Sequence, residues 1–306
     1  MDEMGIDRRF FLAIWALCLF PCLCLAREVG GLVVDQAGRE VRVPDHPERV
    51  ISLAPSLTEI VIALGCGNLL VGATTYSDYP DEAKRLPRVG SYAQPDVERI
   101  LVLRPDICLA VADMTPRTVI DRLTALGVPV YCLDITNLNA VLDSIQKVGQ
   151  VLNAVDKANM LTRDMRRRMD RVGEAFANAG KPSVLYQIGV APMYAACKDT
   201  FINELIDIAG GRNVCASMSG YPMITREMAV SFMPEVILIP TMGRDQFEAA
   251  RAQWARWPEV PAVRDGRIFL LDSDLYDRPG PRIPQGLEEL ARLLHDTPSL
   301  QADTHP

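Results

Sequence analysis

A chain of 306 residues is long enough for two domains at roughly 100–200 residues each. Its 39 acidic side chains outnumber the 32 basic ones, giving a net charge of −7 without any long basic run, which excludes nucleic acid as an expected partner. With 49% hydrophobic and 23% charged residues, the composition is that of a globular protein with a sizeable core.

The N-terminus is of a different kind. Arg8-Arg9 precede an apolar run from Phe10 to Phe20, and the stretch closes on Cys24-Leu25-Ala26. A basic start, a short apolar centre and a small final residue read as a signal peptide over residues 1–26, so a periplasmic protein is expected. Pro21 breaks the run short of the roughly 20 apolar residues that span a membrane, which leaves a retained N-terminal anchor as the lesser alternative. The two arginines fit a twin-arginine signal loosely. Cys22 and Cys24 offer a lipidation site, but neither follows a small residue. Beyond the signal, Cys66, Cys108, Cys132, Cys197 and Cys215 remain, an odd number. Cys108 and Cys132 sit in apolar runs as small core residues. Cys197 with Cys215 is the pair best placed for a disulfide in an oxidising compartment.

The N-terminal lobe is expected over residues 27–137. Leu32 to Val43, with Gly38 in its turn, reads as a β-hairpin, and Arg49 to Leu53 as a buried strand. Ser56 or Thr58 is positioned to cap a helix from Glu59 to Leu64. A strand from Leu69, a loop at Thr75 to Pro80, and a short strand with loop at Pro87 to Tyr92 follow. Thr115 to Leu126 reads as a helix closed by Gly127, and Pro129 to Asp134 as a strand. Strands alternating with helices at this spacing predict a parallel α/β lobe.

Residues 138–180 change character: Lys, Arg, Met, Leu and Ala dominate, with no proline until Pro182. They predict one or two long linking helices, the second beginning near Asp156, serving as a rigid spacer. A C-terminal α/β lobe is expected over 181–298, followed by a polar tail, 299–306. Its elements are a strand at Ser183 to Ile188 and a helix at Thr200 to Ala209, then a helix at Arg244 to Trp254 and a strand at Arg267 to Leu271. A loop at Asp274 to Arg282 leads to a last helix, Gln285 to Leu294. The fold class is therefore α/β, two Rossmann-like lobes with parallel sheets joined by a long rigid α-helix.

One internal echo supports two similar lobes. Glu98, Pro105 and Asp106 are matched by Glu227, Pro234 and Glu235, each 129 positions on, and both stretches run from a short amphipathic segment into an apolar, β-rich one. Each lobe thus sets a glutamate near the start of a short helix that feeds a buried strand, with Thr225 as the cap of the second.

Catalytic chemistry is poorly served. The three histidines, His46, His295 and His305, lie apart in the chain, and no nucleophile elbow, phosphate-cradling loop or metal-ligand spacing occurs. Catalytic residues, bound metals and cofactors are all expected to be absent, and an enzyme is not expected. Tyrosines are more informative. Tyr76, Tyr79, Tyr92, Tyr194, Tyr221 and Tyr276 fall in segments just beyond expected strands, where parallel α/β sheets hold ligands. Rings gathered there from both lobes could stack on a large flat ligand, although a tyrosine that simply anchors its loop explains any single one equally well.

Four stretches then point to a family: Arg49-Val-Ile-Ser-Leu-Ala-Pro-Ser-Leu-Thr-Glu59, Tyr76-Ser-Asp-Tyr-Pro80, Glu98 with Leu103-Arg-Pro-Asp106, and Asp274 to Arg282. Over residues 48–295 the chain resembles the cobalamin-binding members of the helical-backbone periplasmic proteins that serve ABC importers. The first stretch is shared with haem and siderophore binders, while the Tyr-Ser-Asp-Tyr-Pro loop is closer to cobalamin binders. The resemblance implies a monomer that carries cobalamin or another corrinoid to a permease and its ATPase. It assigns Tyr76, Tyr92, Tyr194 and Tyr221 to the ligand cleft and Asp274 and Arg278 to the ligand's amides. It also assigns Glu98 and Glu227 to docking on the permease. A carboxylate favouring a helix N-terminus is the plainer account of both glutamates. The chain departs from the pattern where Tyr92 and Tyr221 replace tryptophans and Val111 replaces an aromatic. Ala209 stands where the first cysteine of the family's second-lobe disulfide would be. A ferric siderophore or haem carrier of the same fold is the alternative.

Overall fold

The computed structural model describes residues 30–241 and 244–295. The expected signal segment and polar tail lie outside the described residues. A small antiparallel hairpin, β1 (Leu32–Val34) and β2 (Glu40–Arg42), opens the description, turning at Gly38 with φ +75°.

The first lobe follows. It comprises β3 (Val50–Ser52), α1 (Pro55–Ala63), β4 (Leu70–Ala73), α2 (Val97–Val102), β5 (Ile107–Val111), α3 (Arg117–Ala125) and β6 (Val130–Leu133). The strands pair in the order β4-β3-β5-β6, all parallel. Helix α1 begins four residues earlier than expected. Pro55 takes its first position, where a missing N–H costs nothing, so Ser56 and Thr58 lie inside the first turn and the extended Ala54 is the cap. Around residue 88 the expected strand is reduced to isolated bridges, Arg88 with Ala73 and Gly90 with Pro95.

Two helices link the lobes, α4 (Leu138–Val151) and α5 (Val155–Phe176). Asn137 caps α4 by accepting the Ala140 N–H at 2.9 Å. In α5, Ala158, Thr162, Met165, Met169, Val172 and Phe176 are buried, a three-to-four-residue spacing that puts them on one stripe. At about 1.5 Å per residue its 22 residues extend about 33 Å.

The second lobe comprises β7 (Ser183–Ile188), β8 (Tyr194–Ala195), α6 (Phe201–Ile208), β9 (Arg212–Asn213), α7 (Arg226–Ser231), β10 (Val236–Thr241), α8 (Arg244–Trp254), α9 (Pro261–Arg264), β11 (Ile268–Asp272), α10 (Ser273–Tyr276) and α11 (Ile283–His295). Strands β11, β10, β7 and β9 run parallel, but β8 pairs antiparallel with β7. The segment expected as a loop at 274–282 begins with α10, because the Asp272 carboxylate accepts the Asp274 N–H at 2.9 Å and caps a helical turn.

Side-chain alternation explains how each sheet is covered on both faces. From β5, Ile107, Leu109 and Val111 enter a core shared with α1, α4 and α5, while Cys108 and Ala110 enter one with α2 and α3. In β10, Val236 and Leu238 join the same shared core and Ile237 and Ile239 pack toward Phe247 and Trp254 of α8. The shared core runs through α5 into α11, so one apolar body ties the lobes together. All five described cysteines are buried free thiols. The expected Cys197–Cys215 disulfide is absent: the Cys215 thiol instead faces the Asn213 amide oxygen at 3.1 Å and the Ala196 carbonyl at 3.4 Å. Burial pushes both thiols up.

The internal echo is a structural repeat. Helices α2 and α7 are six residues each, capped by Asp96 and Thr225 through the N–H groups of Arg99 and Met228. Each helix is followed by a non-glycine residue in the left-handed region, Arg104 (φ 46°) and Met233 (φ 47°), and then by proline. The next acidic residue clamps the start of the lobe's central strand. Asp106 accepts the N–H groups of Glu48 and Arg49 at 2.9 Å, and Glu235 accepts the Ser183 N–H at 2.7 Å and its hydroxyl at 2.9 Å.

Candidate functional site

The loop carrying Tyr76 is fixed from below by a chain of buried hydroxyls. Thr58 of α1 lies 2.9 Å from both Ser52 and Ser77, and Ser77 lies 2.9 Å from Thr74. Arg88 closes the loop by donating to the Thr74 and Ser77 carbonyls at 2.9 and 2.8 Å. Tyr76 and Tyr92 therefore stand together at the rim of the first sheet, ring centres 5.9 Å apart and tilted by 50°.

Between the lobes lie two cavities of about 300 and 260 Å³. Tyr76 and Tyr92 line one, Tyr221 lines the other, and Met114, Asp277 and Pro279 line both, so the two form one cleft. Its larger half is walled by apolar side chains from both lobes, including Val111, Leu133, Ile188 and Phe201. Asp274 and Arg278 line the smaller half.

The cleft floor is an ion network that reaches from one lobe to the other. Arg282 grips the buried Glu59 of α1 through two contacts of 2.8 and 2.7 Å. It also donates to the Asp274 carbonyl at 2.6 Å and lies 4.0 Å from the Tyr79 ring centre. Arg278 meets Asp78 at 2.7 Å, Asp274 at 2.5 Å and Glu59 at 3.6 Å. Burial raises the Glu59 carboxyl despite both arginines. Burial acts the same way on Asp78, but there the Arg278 guanidinium outweighs it and holds the carboxyl below its usual range.

Asp277 sits where the two cavities meet, open to the cleft and walled by protein elsewhere. Burial pushes its carboxyl up to about 6; the hydrogen bond donated by the Tyr186 hydroxyl at 2.9 Å opposes this, and Asp274 and Asp272 add to it. Burial, with Asp277 nearby, likewise pushes the Tyr221 phenol up to about 12.

Of the residues expected at the ligand, Tyr76, Tyr92, Tyr221, Asp274 and Arg278 line the cleft. Tyr194 does not line either cavity: it is exposed on β8, paired with Ile188. Tyr276 is buried in α10 and faces the core. Glu98 and Glu227 are exposed in the first turns of α2 and α7, away from the cleft. Backbone N–H and the Thr225 hydroxyl hold the Glu227 carboxyl below its usual range.

The family model for periplasmic binding proteins matches residues 50–275, which includes both sheets and the helices between them. The chain belongs to the periplasmic binding protein family. Among relatives within it, a vitamin B12-binding protein of Yersinia pestis (strain Pestoides F) is 31% identical over 259 residues, covering 84% of this chain and 90% of that one. A solved periplasmic heme binding protein from Pseudomonas aeruginosa is 32% identical with a TM-score of 0.75, covering 82% of this chain and 94% of the other. The periplasmic vitamin B12 binding protein BtuF of Vibrio cholerae is 29% identical with a TM-score of 0.72, covering 81% and 96%. As a periplasmic binding protein, the chain is of a class associated with small-molecule ligands and import rather than turnover.

Sequence reasoning missed Asp277, although its neighbour Arg278 was picked out. It also read Glu59 only as part of a fold motif. Nothing in the pattern of a single sequence separates a cleft aspartate from a solvated one, because the distinction is made by contacts 200 or more positions apart, such as Arg278 with Asp78.

Proposed function

We propose that this protein captures cobalamin or a related corrinoid in the cleft between its lobes and delivers it to an ABC importer, with no chemical turnover. The observation that carries the reading is the single cleft, flanked by Tyr76 and Tyr92 on one lobe and Tyr221 on the other. Aromatic rings from both lobes along a cleft with an apolar half suit a broad macrocycle, and the polar groups of Asp274, Asp277 and Arg278 suit the amides on its rim. The vitamin B12-binding relatives support the same ligand. Export through a cleaved signal peptide over residues 1–26 and a monomeric state complete the proposal.

Haem is the second reading, favoured by the likeness to the Pseudomonas aeruginosa protein. Tyrosine can ligate haem iron, and Tyr76, Tyr92 and Tyr221 all line the cleft.

Titration of the purified protein with cyanocobalamin and, separately, with haemin decides between them. Saturable quenching or heat at micromolar cyanocobalamin is expected, weakened about tenfold by Tyr76→Ala or Tyr221→Ala through lost aromatic contact. No signal with cyanocobalamin beside saturable binding of haemin would overturn the corrinoid reading.

A further inference from the structure

The cleft's charges are one-sided. Among the described residues, five aspartates line it, namely Asp113, Asp134, Asp199, Asp274 and Asp277, against one base, Arg278. That base is already committed, and Asp274 with it: its guanidinium meets Asp78, Asp274 and Glu59, which leaves Asp113, Asp134, Asp199 and Asp277 as the excess. Arg282 is committed to Glu59. A ligand entering the cleft therefore meets acceptor oxygens without a free cation to balance them.

The excess is concentrated at the centre. Asp277 is shared by both cavities, and its own hydrogen-bond donor, the Tyr186 hydroxyl, is neutral. Asp274 and Asp272 add to the burial that raises its carboxyl; burial also raises Asp274, where the Arg278 guanidinium opposes it and Asp78 and Asp272 add to it. A group of acids that already repel one another would repel a further anion placed among them. Primary amides behave oppositely, since each presents two N–H donors to a carboxylate.

We propose that the cleft selects its ligand by charge, accepting a macrocycle rimmed with amides and rejecting one of the same size rimmed with carboxylates, with Asp277 as the central discriminating side chain. This rests on the corrinoid reading and narrows it. Fully amidated, neutral or cationic corrinoids are the substrates; carboxylated corrinoids, haem and anionic siderophores are turned away.

The test compares two corrinoids that share a ring: dicyanocobinamide, rimmed with amides, and the dicyano form of cobyrinic acid, rimmed with carboxylates. Each is titrated into the purified full chain at neutral pH and low salt. The acid is expected to bind about 100-fold more weakly, because unpaired like charges in a cleft are strongly disfavoured. Asp277→Asn, which keeps an acceptor for Tyr186, should narrow the gap about tenfold, and Asp134→Asn by a smaller factor, with folding of both variants checked by thermal melting. Equal binding of the two corrinoids, or a gap untouched by Asp277→Asn in a folded variant, would overturn the charge inference and leave the corrinoid reading intact. If neither corrinoid binds, the corrinoid reading fails, and haemin against its dimethyl ester carries the same contrast. Preference for the ester sustains charge selection, and preference for the free acid overturns it.

Discussion

The same helix-to-strand turn is built twice, and its two copies are braced in different ways. In the first lobe Arg49 reaches across and donates to the carbonyls of Leu103 and Arg104 at 2.7 and 3.1 Å, covering the end of α2. In the second lobe the counterpart position is Ser183, the first residue of the central strand, whose short side chain serves Glu235 instead, and the Pro234 carbonyl is held by the Ala262 N–H at 2.9 Å. The cap is a carboxylate in one copy and a hydroxyl in the other. What recurs is backbone geometry: a six-residue helix, a left-handed residue, a proline and an acidic clamp. Different side chains satisfy the same orphan N–H and carbonyl groups. The glutamate that each copy displays is therefore placed by the main chain, and its direction does not depend on the neighbours that differ.

The largest effect should come from the displayed glutamates. If both dock on the permease, reversing charge at Glu98 and Glu227 together is expected to abolish ligand uptake by cells while ligand affinity of the purified protein stays within about twofold. Normal uptake would return both residues to a helix-terminus role worth about 0.3–1 kcal/mol. Single reversals ask whether the copies are equivalent.

Next is the joint between the lobes. Arg282→Ala leaves Glu59 buried with only Arg278 nearby, and a loss of about 3 kcal/mol is expected in urea unfolding, in the range for breaking a buried pair. A loss below about 1 kcal/mol would mean that the ion network does not bind the lobes. The two acidic clamps can be compared directly. Glu235→Ala orphans the N–H of the buried Ser183 and should cost about 2 kcal/mol, while Asp106→Ala frees the N–H groups of the exposed Glu48 and Arg49 and should cost about 1 kcal/mol. Equal costs would mean that the extra brace from Arg49 makes no difference.

The smallest effect is a pH dependence confined to the cleft. Asp277 shifts from an ordinary value of 3.8 to about 6 on folding, so the folded state keeps a proton that the unfolded chain has released between those values. Its contribution favours folding below about pH 4 and is lost as pH rises through about 6. Asp277→Asn should therefore raise the melting temperature at neutral pH and leave it unchanged in acid. An equal gain at both pH values would remove ionisation as the cause.

Much of the fold could be read before any coordinates. Ser183–Ile188 and Arg244–Trp254 were expected with the bounds they have: the first is an apolar run between Pro182 and Gly189, and the second starts right after Gly243 and is rich in helix formers. Helix α1 was misplaced because a proline at its first position looks like a breaker, and α10 was missed because one turn capped by Asp272 has no periodicity to detect. At the site, aromatic residues beyond strand ends were legible from chain order. The acidic floor was not, since it joins Glu59 and Asp78 to Arg278 and Arg282 across most of the chain.

Helix α5 bears finally on how such a molecule can signal that it is loaded. Its buried stripe from Ala158 to Phe176 is set into the core common to both lobes, so it has no slack joint along that length. With a second fastening at Glu59 and Arg282, the lobes are held at two separated places. Two such fastenings oppose hinging between the lobes. A cargo in the slot would then be announced by tension in a nearly fixed outline, and a partner touching both lobes at once would be gauging a length that a damaged or half-folded copy cannot reproduce.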